Sequence, residues 1–175
     1  GNVEVCVNLF WNNFNPAEEM RKFFPHAYIQ AGNDANVAAL GEFVQGAGRK
    51  YKTMMLITLG TGVGGGIILN GDIVLGASGL AGEIGHIAVG SKDSGNCNCG
   101  NCGCVDQFAS ATGIVRRMKK ILDENEGVSQ LRKMRDFTAK DVCEQAKKGD
   151  PLAVKCVEFC MGVLGRAMAI FAHAF

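Results

Sequence analysis

Apolar residues crowd the run Val3 to Phe10, VEVCVNLF, and predict a β-strand that ends in a polar loop with Asn12, Asn13 and Asn15. Pro16 suits a first helical position, and a short helix is expected from there to about Phe24. AYIQA, residues 27–31, is a second strand candidate. NDANVAALGEFVQGAG, residues 33–48, reads as a helix with Asn33 or Asp34 at its N-terminus. KTMMLITL (52–59) and GGGIILNG (64–71) predict two strands joined by a glycine-rich turn, and Asn70-Gly71 turns the chain again into DIVLG. After residue 104 helical patterns dominate. The last apolar run, Ala153 to Phe175, carries Lys155, Glu158 and Arg166, so a buried helix is expected there and not a membrane span. Strand-rich and helix-rich parts alternate, which predicts an α/β class. There is no internal repeat and no low-complexity segment.

Composition narrows this picture only in part. A chain of 175 residues fits one domain or parts of two, and 47% hydrophobic with 20% charged residues is the balance of a soluble globular protein. The formal net charge of +1 gives no field to attract nucleic acid or an anionic membrane surface, so neither is expected as a partner. No stretch reads as a signal peptide. Cys6, Cys143, Cys156 and Cys160 sit among apolar neighbours without regular spacing, as small buried hydrophobes do. A disulfide scaffold would be shorter and would spread its cysteines, so a reducing, cytoplasmic setting is expected. The chain starts without Met in what reads as a strand under way, and its last helix reaches Phe175 without a glycine cap. It is read as a fragment of a larger protein.

The chemistry concentrates in three places. Cys97, Cys99, Cys102 and Cys104 crowd one loop with Gly100 and Gly103. Zinc takes four soft or borderline ligands in a tetrahedron, and His86 lies upstream on an expected strand. His86, Cys97, Cys99 and Cys104 therefore make a candidate Cys₃His site with no open position, which implies a structural role. Free thiols and a C-x-x-C redox pair through Cys99 and Cys102 are the alternatives. Exposed thiols would oxidise, and the interleaved Cys97 and Cys104 argue against the redox pair.

LGTGVGGGIIL, residues 59–69, holds Gly60, Gly62 and Gly65 in a G-x-G-x-x-G pattern, yet a strand follows where a dinucleotide fingerprint needs a helix. What remains is a strand–turn–strand whose backbone N–H groups and Thr61 hydroxyl are placed to cradle phosphate oxygens, with a merely flexible hairpin as the alternative. Asp34, taken alone, is a helix-capping residue. Glu83 and His86 would face opposite sides of a strand unless Ile84-Gly85 bends. With Asp106 held beside the cysteines, they form a polar set suited to a polyhydroxylated ligand.

GNDANVAALGE, LITLGTGVGGGIILNG, GLAGEIGHIAVG and CNCGNCGCVDQFASATGI together resemble the ROK family (repressor, open reading frame, kinase). The resemblance runs over nearly the whole chain, most strongly from Gly32 to Gly113, and is strongest to members that phosphorylate glucose. It implies an actin-like ATPase (ribonuclease H-like) fold, with residues 1–32 ending the small lobe and 33–175 forming most of the large lobe. It implies ATP-dependent phosphorylation of a hexose, most closely glucose to glucose 6-phosphate, with ATP and Mg²⁺ and a structural Zn²⁺. Asp34 matches the base that takes the sugar 6-hydroxyl proton, and Asn33, Glu83, His86 and Asp106 match sugar-binding positions. Gly60, Thr61, Gly62, Gly64 and Gly65 match the second phosphate loop. His86, Cys97, Cys99 and Cys104 match the zinc ligands, and Cys102 falls on a variable position. A homodimer is implied for the intact protein. Two features depart from the pattern: D-x-G-G-T, the first phosphate loop, is missing, as is the adenosine-side glycine segment expected after the last helix, and Asp106 stands where glucose kinases usually carry Glu. A sugar-responsive repressor and a kinase for fructose or N-acetylmannosamine are the competing implications.

Overall fold

The structure is a computed structural model, and it describes residues 2–6, 10–89 and 95–174. Its first element is a hairpin of β1 (Val3–Cys6) and β2 (Trp11–Phe14), antiparallel, with Val3 opposite Phe14 and Cys6 opposite Trp11. The single strand expected over 3–10 is thus shorter, with residues 7–9 outside the described part, and the expected Asn loop is itself a strand. Asparagine is a poor strand former, but Asn13 adopts a left-handed φ of 47°, which Asn tolerates, and Trp11 and Phe14 stack with ring centroids 4.5 Å apart.

Helix α1 (Pro16–Arg21) begins as expected: the Asn15 side chain accepts from the Glu18 N–H at 3.1 Å and Pro16 opens the first turn. It stops before Phe24. Residues 27–31 are irregular, contrary to the expected strand: no ladder partner faces them among the described residues, and Tyr28 is exposed. Helix α2 (Asp34–Val44) follows and ends ahead of Gly46, so the predicted helix loses its last residues to a 3₁₀ turn over Ala47–Lys50.

Strands β3 (Met54–Leu59), β4 (Val63–Leu69) and β5 (Asp72–Ile73) form an antiparallel sheet in that order. Leu59 pairs with Val63, so the turn between them is Gly60-Thr61-Gly62. Asn70 and Gly71, at φ of 53° and 96°, make the second turn, the left-handed pair that a two-residue hairpin requires. Only Asp72 and Ile73 of DIVLG join the sheet. One face of β4 lies directly on α2. A Cβ on Gly66 would stand 2.6 Å from the Ala39 Cβ, and one on Gly64 3.1 Å from the Ala35 Cβ, so glycine lets helix and strand approach.

The helical half comprises α3 (Asp106–Ala109), α4 (Ala111–Glu124), α5 (Ala139–Lys147) and α6 (Pro151–Ala174). Ile114, Met118, Ile121 and Leu122 repeat at helical spacing along α4 and pack on Leu131, Val142, Ala153, Cys156 and Cys160. Cys156 and Cys160 are fully buried, as their apolar neighbours predict, whereas Cys143 is only half-buried; the side chain of Cys6 lies outside the described part. Val63, Val105, Ala109, Leu164 and Ala167 join the sheet to the helices. Among the described residues no helix is long and apolar enough to cross a membrane.

Candidate functional site

A cleft of about 580 Å³ opens where α2 begins, where β3 turns into β4, and where the chain enters and leaves the cysteine loop. Asn33 caps α2, its side-chain oxygen accepting from the N–H groups of Ala35 and Asn36 at 3.0 and 3.2 Å. That cap fixes the first turn and leaves the Asp34 carboxylate on the cleft wall, where it accepts from the Ala35 N–H at 2.8 Å. Asn33, Asp34, Gly60, Thr61, Gly62, Gly64, Gly65, Glu83, His86 and Asp106 all line this one cleft.

The glycines divide into two kinds. Gly60 and Gly62 make the turn, with the Gly60 N–H donating to the Gly62 carbonyl at 2.9 Å. Gly64 and Gly65 are strand residues, not turn residues. A Cβ on Gly64 would meet the Thr58 hydroxyl at 2.8 Å, and one on Gly65 would overlap the Ile84 side chain. Their backbone forms the cleft floor because nothing projects from it. Among the described residues no hydrogen bond from the N–H groups of Thr61 and Gly62 to the protein is found, and both residues are exposed at the cleft.

His86 does not lie on a strand. Residues Ile84–His86 form a 3₁₀ turn, in which positions three apart eclipse, so Glu83 and His86 face the same way. The Glu83 Oε2 and His86 Nε2 atoms are 3.9 Å apart. Tight backbone packing sets this turn: a Cβ on Gly85 would overlap the Val63 carbonyl oxygen. The other imidazole nitrogen, Nδ1, lies 3.4 Å from the Cys97 Sγ. One ring therefore touches both the cleft and the cysteine cluster.

The ligand atoms of His86, Cys97, Cys99 and Cys104 all lie within 4.8 Å of one another, and Cys102 is outside this group. Zinc–thiolate bonds of about 2.3 Å at a tetrahedral angle place two sulfurs about 3.7 Å apart, and a sulfur and an imidazole nitrogen about 3.5 Å apart. The Cys99–Cys104 separation is 3.6 Å, so donor chemistry and spacing both fit zinc. Burial, then the neighbouring Cys99 and Cys97 sulfurs, push the Cys104 thiol up to about 12. Three sulfurs this close would need a cation among them to ionise together.

Asp106 opens α3. Its Oδ1 accepts from the Val63 N–H at 2.8 Å, and a Cβ on Gly62 would crowd the same oxygen at 3.0 Å. Sequence reasoning missed Thr112, Arg116 and Lys119. They line a second hollow of about 540 Å³ that shares Thr61 with the cleft. Their signal was present as a polar row at helical spacing along α4, one turn after the cysteines.

The profile of the ROK family matches residues 2–175. The glucokinase of Halalkalibacterium halodurans is 44% identical over 99% of this chain and 53% of its own length. A solved ROK family glucokinase from Streptomyces griseus, in complex with glucose and AMPPNP, superposes with a TM-score of 0.82 at 32% identity, covering 99% of this chain and 57% of that one. A solved ROK family transcriptional regulator, a homolog of the E. coli MLC protein, superposes with a TM-score of 0.86 at 30% identity, covering 100% of this chain and 43% of that one. The chain thus spans about half the length of the relatives it matches. The α/β fold is that of the actin-like ATPases.

Proposed function

The chain belongs to the ROK family, and from that premise we propose that the protein containing it transfers the γ-phosphoryl group of ATP to a hexose, glucose before other sugars. The observation that carries this reading is the shared cleft. A carboxylate, Asp34, and a glycine turn with two unpartnered N–H groups line the same hollow. Phosphoryl transfer asks for a base at the attacking hydroxyl and donors around the phosphates, and little else from the protein.

In this reading Asp34 takes the proton of the sugar 6-hydroxyl as the hydroxyl oxygen attacks the γ-phosphorus, the bond to the β–γ bridging oxygen breaks and ADP leaves with its electron pair. Asn33, Glu83 and His86 hold the ring hydroxyls, with the second Asp106 oxygen beside them. The Thr61 and Gly62 N–H groups hold phosphate oxygens, and Gly64 and Gly65 keep the floor clear. Mg²⁺ bound with ATP supplies charge neutralisation between the phosphates. The hollow edged by Thr61, Arg116 and Lys119 suits the remainder of the nucleotide. His86, Cys97, Cys99 and Cys104 would hold zinc in a closed set, and these four residues would then tie the loop to the cleft with no position left open for Lewis-acid chemistry. Residues 1–32 would finish the small lobe and 33–175 most of the large one. A homodimer in the cytoplasm is the expected setting of the intact protein.

A sugar-responsive repressor is the second reading, favoured by the likeness to the MLC homolog. It needs no base, and the presence of both Asp34 and the open turn weighs toward catalysis. An ATP-coupled phosphorylation screen of the intact protein over glucose, mannose, fructose and N-acetylmannosamine separates them. Turnover with glucose leading supports the kinase. No turnover on any sugar supports the repressor.

A further inference from the structure

The seven-residue arm from Asp106 to Thr112 leaves the cysteine cluster and grips the glycine turn at three successive places. The Ala111 N–H donates to the Gly60 carbonyl at 2.9 Å. The Thr112 hydroxyl donates to the Thr61 carbonyl at 3.0 Å. The Asp106 Oδ1 accepts from the Val63 N–H at 2.8 Å. Between them, Gly62 brings the turn so close that a Cβ would press on the Asp106 oxygen.

The arm itself is rigid. Ser110, fully buried, donates to the Asp106 carbonyl at 2.6 Å and accepts from the Gly113 N–H at 3.0 Å. Upstream, Val105 is buried and its N–H donates to the Ile87 carbonyl at 3.0 Å, next to His86. The turn is therefore held by residues that follow directly on the cysteine cluster.

We propose that Asp106 is a positioning residue for the nucleotide-binding turn, and that it governs affinity for ATP more than affinity for the hexose. This rests on the phosphotransferase reading above. One oxygen of a short carboxylate is already committed to Val63. The other oxygen, 3.5 Å from Gln107 Nε2, stays on the cleft, so the carboxylate divides between clamp and cleft. A Glu here would carry its carboxylate about 1.5 Å further along the chain, past the Val63 N–H, so the short acid suits the clamp. By holding Val63 and the two carbonyls, the arm fixes the backbone that carries the Thr61 and Gly62 N–H groups, the preorganisation a phosphate cradle depends on.

The test uses Asp106→Ala, Asp106→Asn and Thr112→Val in the intact protein, with zinc content measured to show that the cluster survives. Asp106→Ala and Thr112→Val should each raise the KM for ATP roughly tenfold, the effect of one hydrogen bond at a charged or closely held group. The KM for glucose should move much less. Asp106→Asn keeps an oxygen for Val63 and should return the ATP value to within about threefold of wild type. A rise confined to the glucose KM, with the ATP KM unchanged, overturns the proposal. Amide hydrogen exchange at Val63 is the readout that needs no turnover: it should quicken in Asp106→Ala and stay slow in Asp106→Asn. Unchanged exchange in Asp106→Ala removes the clamp. Quickened exchange in a protein that phosphorylates nothing keeps the clamp and removes the kinase reading instead.

Discussion

Gly85 and Gly41 carry the same side chain for opposite reasons. A Cβ on Gly85 would overlap the Val63 carbonyl oxygen, a backbone atom of β4 that cannot step aside. Gly41 lies inside α2 with nothing near the place a Cβ would take. Gly85→Ala should therefore cost about 1–3 kcal/mol through overpacking. Gly41→Ala should gain about 0.5–1 kcal/mol through helix propensity. Thermal unfolding checks both, since about 1 kcal/mol moves the midpoint by roughly 2–4 °C in a chain of this size. A fall for both variants would show that α2 needs its glycine for a contact outside this chain. The same contrast explains why Gly64 and Gly65, although expected in a strand over 64–71, group with the turn glycines Gly60 and Gly62 as one phosphate loop when read from sequence. In sequence, a glycine that must turn and a glycine that must be approached look alike, and only the partners Thr58, Ile84 and Ala39 tell them apart.

At the scale of elements, the start of α6 is the clearest case of one side chain fastening two pieces. The Asp150 Oδ1 accepts from the Leu152 and Ala153 N–H groups, both at 3.1 Å. Its Oδ2 accepts from the Ser129 hydroxyl at 2.7 Å and the Gln130 N–H at 3.1 Å. Burial alone would raise the Asp150 carboxyl, but these hydrogen bonds outweigh it and hold the group below the usual carboxylate range. A depressed folded-state value adds stability above the ordinary carboxyl range near about 4, and that contribution is lost as pH falls through the folded value. Asp150→Ala should cost about 1–2 kcal/mol at neutral pH, the worth of a good cap, with the gap to wild type narrowing in acid. A gap independent of pH would mean that packing, not the charge, is what the substitution removes. For the cysteine loop the corresponding test is metal content: the protein should carry about one zinc per chain, as a closed Cys₃His set demands, and Cys104→Ser should lower it sharply. Zinc retained with Cys97, Cys99 and Cys104 all replaced would remove the assignment. Local signals served well where partners are close in sequence, as in the cysteine loop, the Asn70-Gly71 turn and the Asn33 cap. They failed at β2, where pairing with β1 overrides the poor propensity of Asn12 and Asn13, and at residues 27–31, where apolar content had no strand to pair with. His86 is expected on a strand, with a bend at Ile84-Gly85 as the alternative, and it is contact of Gly85 with Val63 that selects the bend.

On the scale of the whole molecule, the cleft is assembled from four distant parts of the chain: the head of α2, the β3–β4 turn, the turn at His86 and the head of α3. Each part is held by something already placed, Asn33 by its cap, the turn by the arm from Asp106 to Thr112, and His86 by its position beside the Cys97 sulfur. Such an arrangement gains from rigidity, because a base and a phosphate cradle work only at a fixed separation. The central claim is that Asp34 is the base of a sugar kinase, and the rate of glucose 6-phosphate formation by the intact protein, wild type against Asp34→Asn, tests it most directly. Asparagine keeps the size and the hydrogen-bonding oxygen but cannot take the proton. The account predicts a fall of about a hundredfold or more with glucose binding nearly unchanged. A variant that keeps more than about a tenth of the wild-type rate would contradict it, since a general base typically contributes about a hundredfold or more.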